Sequence, residues 1–259
     1  MIALTNGRAT AAIDPSYGGR IVRLVVDDVD VIASGDPARD DPLDWGLYPM
    51  VPFAGRLRNG TLEWRGSTHQ FPRLRPPHAL HGTVHDVEWR VDRVDASSCL
   101  LSTSLVDPWP FSGSVSHNVV LHPDRLELRL TLRADVDMPA QLGWHPWFRK
   151  PERLVFASHS VHRRDSDGIA DRYSVPVEDL VEGDLDDCFT DVDENLTITI
   201  SERELHLRSS CEHWVVYDRP VHATCIEPQS GPPNVLNTNP RIVVAGSSTS
   251  EWFTISWDE

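Results

Sequence analysis

The sequence predicts an all-β protein, a large antiparallel β-sandwich, on three observations. Apolar residues recur with a period of two in run after run, turn-forming residues punctuate the runs at short intervals, and helical periodicity is weak. Leu126-Glu127-Leu128-Arg129-Leu130-Thr131-Leu132-Arg133 alternates without a fault, as do Leu196–Ser201 and Phe253–Trp257. Alternation sends one face of a strand to a core and the other to water or a neighbouring layer.

In chain order the strand candidates are Ile21–Val26, Thr61–Arg65, Trp89–Val94, Leu100–Val106, Ser114–Leu121, Leu126–Arg133, Leu154–Ala157, Leu196–Ser201, Glu204–Arg208, Trp214–Tyr217, Ala223–Ile226, Arg241–Ala245 and Phe253–Trp257. Asp27-Asp28, Asn59-Gly60, Arg65-Gly66, His122-Pro123-Asp124 and Ser201-Glu202 mark turns between them. Val175–Leu180 is the one stretch that predicts a helical turn. The 20 prolines fall mostly between strand candidates, as in a loop-rich β protein. With 259 residues and no long linker, charge block or internal repeat, residues 1–259 read as a single domain. Side chains on one sheet face come from strands distant in sequence, so a functional site here is expected as a scattered constellation.

Composition narrows the function. Asp and Glu outnumber Lys and Arg by 39 to 24, a formal charge of −15, and such a field disfavours nucleic acid and anionic membranes as partners. A small neutral molecule fits better. Lys150 is the sole lysine, which makes Schiff-base chemistry a poor expectation. Cys99, Cys188, Cys211 and Cys225 form no Cys-x-x-Cys pair and read as buried thiols of a reducing compartment. The first residues carry no signal-peptide pattern and no run approaches 20 apolar residues, so a cytoplasmic location is expected. Gly-rich phosphate loops, a Gly-x-Ser-x-Gly elbow and His-Glu-x-x-His do not occur. No cofactor and no metal is expected.

Five segments stand out. Tyr48–Gly60 places the Arg56 fork beside Gly55 in a loop, where it can meet a ligand hydroxyl or carboxylate, although the segment alone reads first as a surface Arg before the Asn59-Gly60 turn. Pro76–His85 holds His78, His81 and His85, but the prolines and Gly82 argue against the helix that would align them on a metal. One neutral His bonded to a ligand is the better reading. Gln141–Arg149 brackets His145 with Trp144, Trp147 and Phe148, whose faces suit the C–H face of a sugar or a core cluster. Leu185–Thr190 holds Asp186 and Asp187, which face opposite ways if extended, so only one serves a ligand. Thr224–Asn234 ends an apolar strand on Glu227, where burial raises a carboxyl toward the range of a general base.

Taken together and in this order, Gly-Arg before Asn-Gly, Leu-His-Gly, His-Pro-aromatic-Phe, Asp-x-x-Phe and Ile-Glu-Pro-Gln resemble the aldose 1-epimerase (galactose mutarotase) family. The resemblance covers roughly residues 45–235. It implies the family's large supersandwich fold, no cofactor, and a sugar as substrate. It implies Glu227 as the base at the anomeric hydroxyl and His145 as the acid at the ring oxygen. His81 would bond near the ring oxygen, and Arg56 and Asp186 would hold sugar hydroxyls. Two alternatives stay open. One is a hexose 6-phosphate held by Arg73, Arg75 or Arg149; the other is a non-catalytic sugar-binding module.

Overall fold

The computed structural model describes residues 1–177, 185–193 and 196–257. It is a β-sandwich of two large antiparallel sheets, as the periodicity predicts. One sheet runs, in spatial order, Ile2–Asn6, Ala9–Asp14, Arg20–Val26, Leu47–Met50, Gly143–Arg149, Ala223–Gln229, His213–Tyr217, Asp186–Val192, Ser158–His162 and Val175–Pro176, with Val29–Asp30 beside Arg20–Val26. The other runs Arg90–Val94, Ser98–Leu105, Gly113–Leu121, Arg125–Ala134, Ser248–Ser256, Arg203–Ser209, Thr197–Ile200 and Arg153–Val155. Three two-stranded ribbons complete it, among them Arg56–Leu57 with Ala79–Leu80.

The core forms between the sheets from the apolar half of each alternation. Leu126, Leu128, Leu130 and Leu132 point inward from Arg125–Ala134 and meet Leu24, Leu47, Trp144 and Ile226 of the facing sheet in one buried cluster. Each such side chain contributes about 1.5–3 kcal/mol by leaving water. The turn signals have a direct backbone counterpart. Asp27-Asp28, Arg65-Gly66 and Ser201-Glu202 each have two consecutive residues at positive φ (46° and 65°, 48° and 81°, 47° and 65°). Two such residues make the tight turn whose twist matches that of paired strands.

Val175–Leu180 is not a helical turn where it is described. Val175–Pro176 forms a short outermost strand against Val161 and Ser160, and an edge suits a Pro that has no N–H to donate. Residues 178–180 lie outside the described residues. Helix is confined, among the described residues, to a turn at Arg58–Gly60 and to Val235–Thr238, and no helix is long and apolar enough to cross a membrane.

Candidate active site

A cavity of about 310 Å3 opens on the larger sheet, on the face turned away from the sandwich core. Its floor is made by three neighbouring strands. In Gly143–Arg149, Trp144 and Phe148 enter the core while His145 and Trp147 face the cavity. In Ala223–Gln229, Ile226 enters the core while Glu227 and Gln229 face the cavity. The register pairs Gly143 with Gln229 and Trp147 with Cys225, which sets His145 directly opposite Glu227. On its other side His145 is paired with Tyr48. Residues 82 positions apart in the chain thus meet through strand register alone.

The result is a close acid–base pair. His145 Nε2 lies 3.2 Å from Glu227 Oε1, with both side chains about 95% buried. Gln229 Nε2 donates to the other oxygen, Glu227 Oε2, at 3.0 Å. Burial, reinforced by the charge of Asp186, raises the Glu227 carboxyl well above its usual range; the Gln229 bond and Arg56 pull the other way. Burial, and then the Arg20 charge, pushes the His145 imidazole down to about 3. Both shifts have one dominant cause: a low-dielectric site penalises the charged form of either group.

His81 and Arg56 arrive from the ribbon. Arg56 pairs with Leu80 across it, and the His81 N–H donates to the Gly55 carbonyl at 3.0 Å. His81 itself sits at a φ of 59° and Gly82 at 81°. A Cβ on Gly82 would stand 2.0 Å from the Val51 carbonyl oxygen, so this bend needs glycine. The bend sets the His81 ring edge-on to His145, centroids 4.6 Å apart. Burial, then the neighbouring His145, drives the His81 pKa well below its ordinary value.

Asp186 enters from the next strands over, opposite Tyr217. Arg164 Nη1 donates to it at 2.6 Å, with Arg219 at 3.6 Å and Arg56 at 3.9 Å. Arg164 Nε also donates to Asp187 at 3.0 Å, so the acidic doublet is bridged by one guanidinium and is not a solvated turn.

All five residues singled out in the sequence (Arg56, His81, His145, Asp186 and Glu227) border this one cavity. Several local expectations change. Glu227 lies inside a strand that continues through Pro228 to Gln229, not at a loop edge. His78 is structural: Nδ1 accepts from the Asn59 N–H and Nε2 faces the Asp167 carbonyl at 2.9 Å. His85 packs against Tyr48. Thus His78, His81 and His85 do not converge. The donor atoms that do approach one another, within 4.8 Å, belong to His81, His145 and Glu227. Of the aromatics around His145, Trp144 and Phe148 are in the core, while Trp147 borders the cavity and stacks on His145 and His222. Of the arginines considered for a phosphate, only Arg75 borders the cavity, and Asp41 and Asp44 hold it at 2.6 and 2.9 Å. Arg73 bonds the Asn59 carbonyl and Arg149 faces Asp30. Sequence reasoning missed Tyr48, Gln229 and Arg164, which depend on cross-strand register; Tyr48 and Gln229 lay in stretches already singled out.

Comparison with known proteins bears on the fold and the family. The chain is 29% identical to the uncharacterized protein YphB of Escherichia coli K12 over 111 residues, 40% of this chain and 37% of that relative's length. The fold matches the crystal structure of the GalM/aldose epimerase homologue from C. elegans at a TM-score of 0.87 and 16% identity, covering 98% of this chain and 97% of that one. It matches a galactose mutarotase-like protein from Clostridium acetobutylicum at 0.82 and 16% identity, over 98% and 93% of the two chains. The aldose 1-epimerase family model matches from residue 1 to residue 255, and the chain therefore belongs to the aldose 1-epimerase family.

Proposed function

We propose that the protein is an aldose 1-epimerase that interconverts the α and β anomers of a hexose or a related neutral sugar. The observation that carries this reading is the His145–Glu227 pair, 3.2 Å apart on the cavity floor.

Anomer exchange needs a proton taken from the anomeric hydroxyl and one given to the ring oxygen. The C1–O5 bond breaks, the freed aldehyde turns about C1–C2, and the reverse transfers close the ring. A pair holding one proton in total balances each step. Glu227, ionised, takes the hydroxyl proton while His145, protonated, gives one to the ring oxygen. After opening, Glu227 carries the proton and His145 is neutral. Burial favours that final distribution, because Glu227 is raised and His145 lowered. The same offset makes the form with Glu227 ionised and His145 protonated the minor one at rest, so the reaction runs from that minor form and the pair titrates as a unit. His81, kept neutral, bonds near the ring oxygen, while Asp186 and Arg56 read hydroxyl groups. Three carboxylates (Asp44, Asp186, Glu227) and three guanidiniums (Arg56, Arg75, Arg219) border the cavity, a balance suited to a neutral ligand. A reducing, cytoplasmic setting fits the four cysteines, all buried and unpaired.

Replacing Glu227 by Gln keeps the shape and removes the base. Anomer exchange of a hexose panel, followed by polarimetry or NMR, is expected to slow by about 100- to 10,000-fold. Full activity in Glu227→Gln would remove that side chain from the mechanism. Tight sugar binding with no acceleration in the natural protein would mark a binding module instead.

A further inference from the structure

Beside the cavity, against the Tyr48 ring, lies a buried cation that the reaction does not touch. Arg20 is fully buried, yet it carries a guanidinium. Nη1 donates to the Trp45 carbonyl at 2.9 Å; Nη2 donates to the Pro42 carbonyl at 2.7 Å and to the His85 carbonyl at 3.0 Å. The rings of Trp45, Tyr17 and Tyr48 surround it, with centroids 4.2, 4.8 and 4.8 Å from its central carbon. Its counter-charges are thus carbonyl dipoles and ring faces. Burial lowers its pKa to about 10, which leaves it charged at neutral pH.

Burying a cation is costly. A methionine of similar reach would fill the same aromatic box without that cost. It would not hold carbonyl oxygens on both sides of residue 43. That residue is the link to the chemistry. The Leu43 carbonyl accepts from the Tyr48 hydroxyl at 3.0 Å and from Trp147 Nε1 at 2.9 Å. Both rings stack on His145: Tyr48 with centroids 4.9 Å apart and 17° from parallel, and Trp147 at 5.5 Å and 20°. One carbonyl therefore anchors both rings that pack on the imidazole, and Arg20 holds the chain just before and just after it.

We propose that Arg20 is a positioning residue: by fixing the Pro42–Trp45 segment it holds the Leu43 carbonyl, and through it the Tyr48 and Trp147 rings that orient His145. The kinetic consequence rests on the epimerase reading; the structural consequence does not. A planar fork spans two separated carbonyls, and a lysine ammonium is a single point that cannot.

The test uses Arg20→Met and Arg20→Lys with two readouts. The first is the His145 imidazole resonance in isotope-labelled protein at neutral pH, which the two stacked rings shift strongly. It is expected to move in both variants. The second is the split of anomer exchange into kcat and KM. Displacing a proton donor by a fraction of an ångström is expected to lower kcat per folded molecule by roughly 10- to 100-fold, with KM little changed. A merely structural Arg20 would lower the melting temperature and leave the resonance where it is. An unmoved His145 resonance overturns the proposal whatever the kinetics. Should Arg20→Met not fold, Arg20→Lys decides alone. Should the natural protein exchange no anomer, the epimerase reading fails and the resonance still decides the role of Arg20.

Discussion

Glu227 has neighbours that pull its proton in opposite directions, and Gln229 is the one that can be removed most cleanly. Its amide donates to Glu227 Oε2 at 3.0 Å and so favours the carboxylate; burial and Asp186 favour the acid. The active pair holds one proton, which it loses as pH rises through the raised pKa of Glu227. Gln229→Met removes the donor at nearly constant volume, so the Glu227 pKa rises further. The alkaline limb of kcat/KM is expected to move to higher pH; a limb that stays or moves down sinks the one-proton pair. At this scale the sequence was a good guide to the residues that line the cavity and a poor one to their supports. Arg56, His81, His145, Asp186 and Glu227 each stand in a recognisable stretch. Arg20 and Arg164 do not, and Tyr48 stands in one without drawing notice, because their roles arise from what strand register and loop closure bring near. Trp147 is visible in the sequence beside His145, but its stacking on His145 and His222 depends on register and loop closure.

Strands were legible wherever one face is wet. Gly113–Leu121, Arg125–Ala134 and Ser248–Ser256 alternate buried and less buried positions; the first two were found nearly whole and the third only from Phe253 onward. Leu47–Met50, Gly143–Arg149 and Ala223–Gln229 are buried nearly throughout, one face in the core and one under the cavity walls, so alternation vanishes. Each also contains a proline (Pro49, Pro146, Pro228), which reads as a break. The site-bearing strands are thus the ones periodicity hides: the first and second were not read as strands, and the third was cut short at Ile226. Alternation also places one polar residue on the inner face of a strand. His117 is fully buried in Gly113–Leu121, where its Nε2 accepts from Trp144 Nε1 at 3.3 Å, and burial lowers its pKa to about 4. The unfolded chain protonates this His below about 6.5, whereas the folded one does not until about 4. Stability from this group is therefore complete above 6.5 and is lost as pH falls from there toward 4. Between pH 7 and 5 the loss is about 2 kcal/mol. His117→Gln keeps an acceptor for Trp144 and removes the titration. Its urea stability is expected to fall less than that of the natural protein over the same interval; parallel declines would show that His117 is not the sensitive group.

Across the whole molecule, charge discriminates between the two sugar classes. The formal charge is −15, and the cavity adds three carboxylates against three guanidiniums, of which Arg75 is already held by Asp41 and Asp44. A neutral hexose feels little of this field. A hexose 6-phosphate, carrying nearly two negative charges, must approach against it and then find an arginine cluster that Arg73, Arg75 and Arg149 do not form. Screening shortens the reach of the field from about 30 Å at 0.01 M salt to about 3 Å at 1 M. For a neutral hexose, kcat/KM for anomer exchange is therefore expected to be nearly flat across that range, and to exceed the value for the 6-phosphate at low salt. The phosphate's rate should rise as salt masks the repulsion. The opposite pattern, a 6-phosphate preferred at low salt and weakened by added salt, would mean that cationic side chains dominate the approach, and the assignment would pass to a phosphorylated sugar with the same His145–Glu227 chemistry.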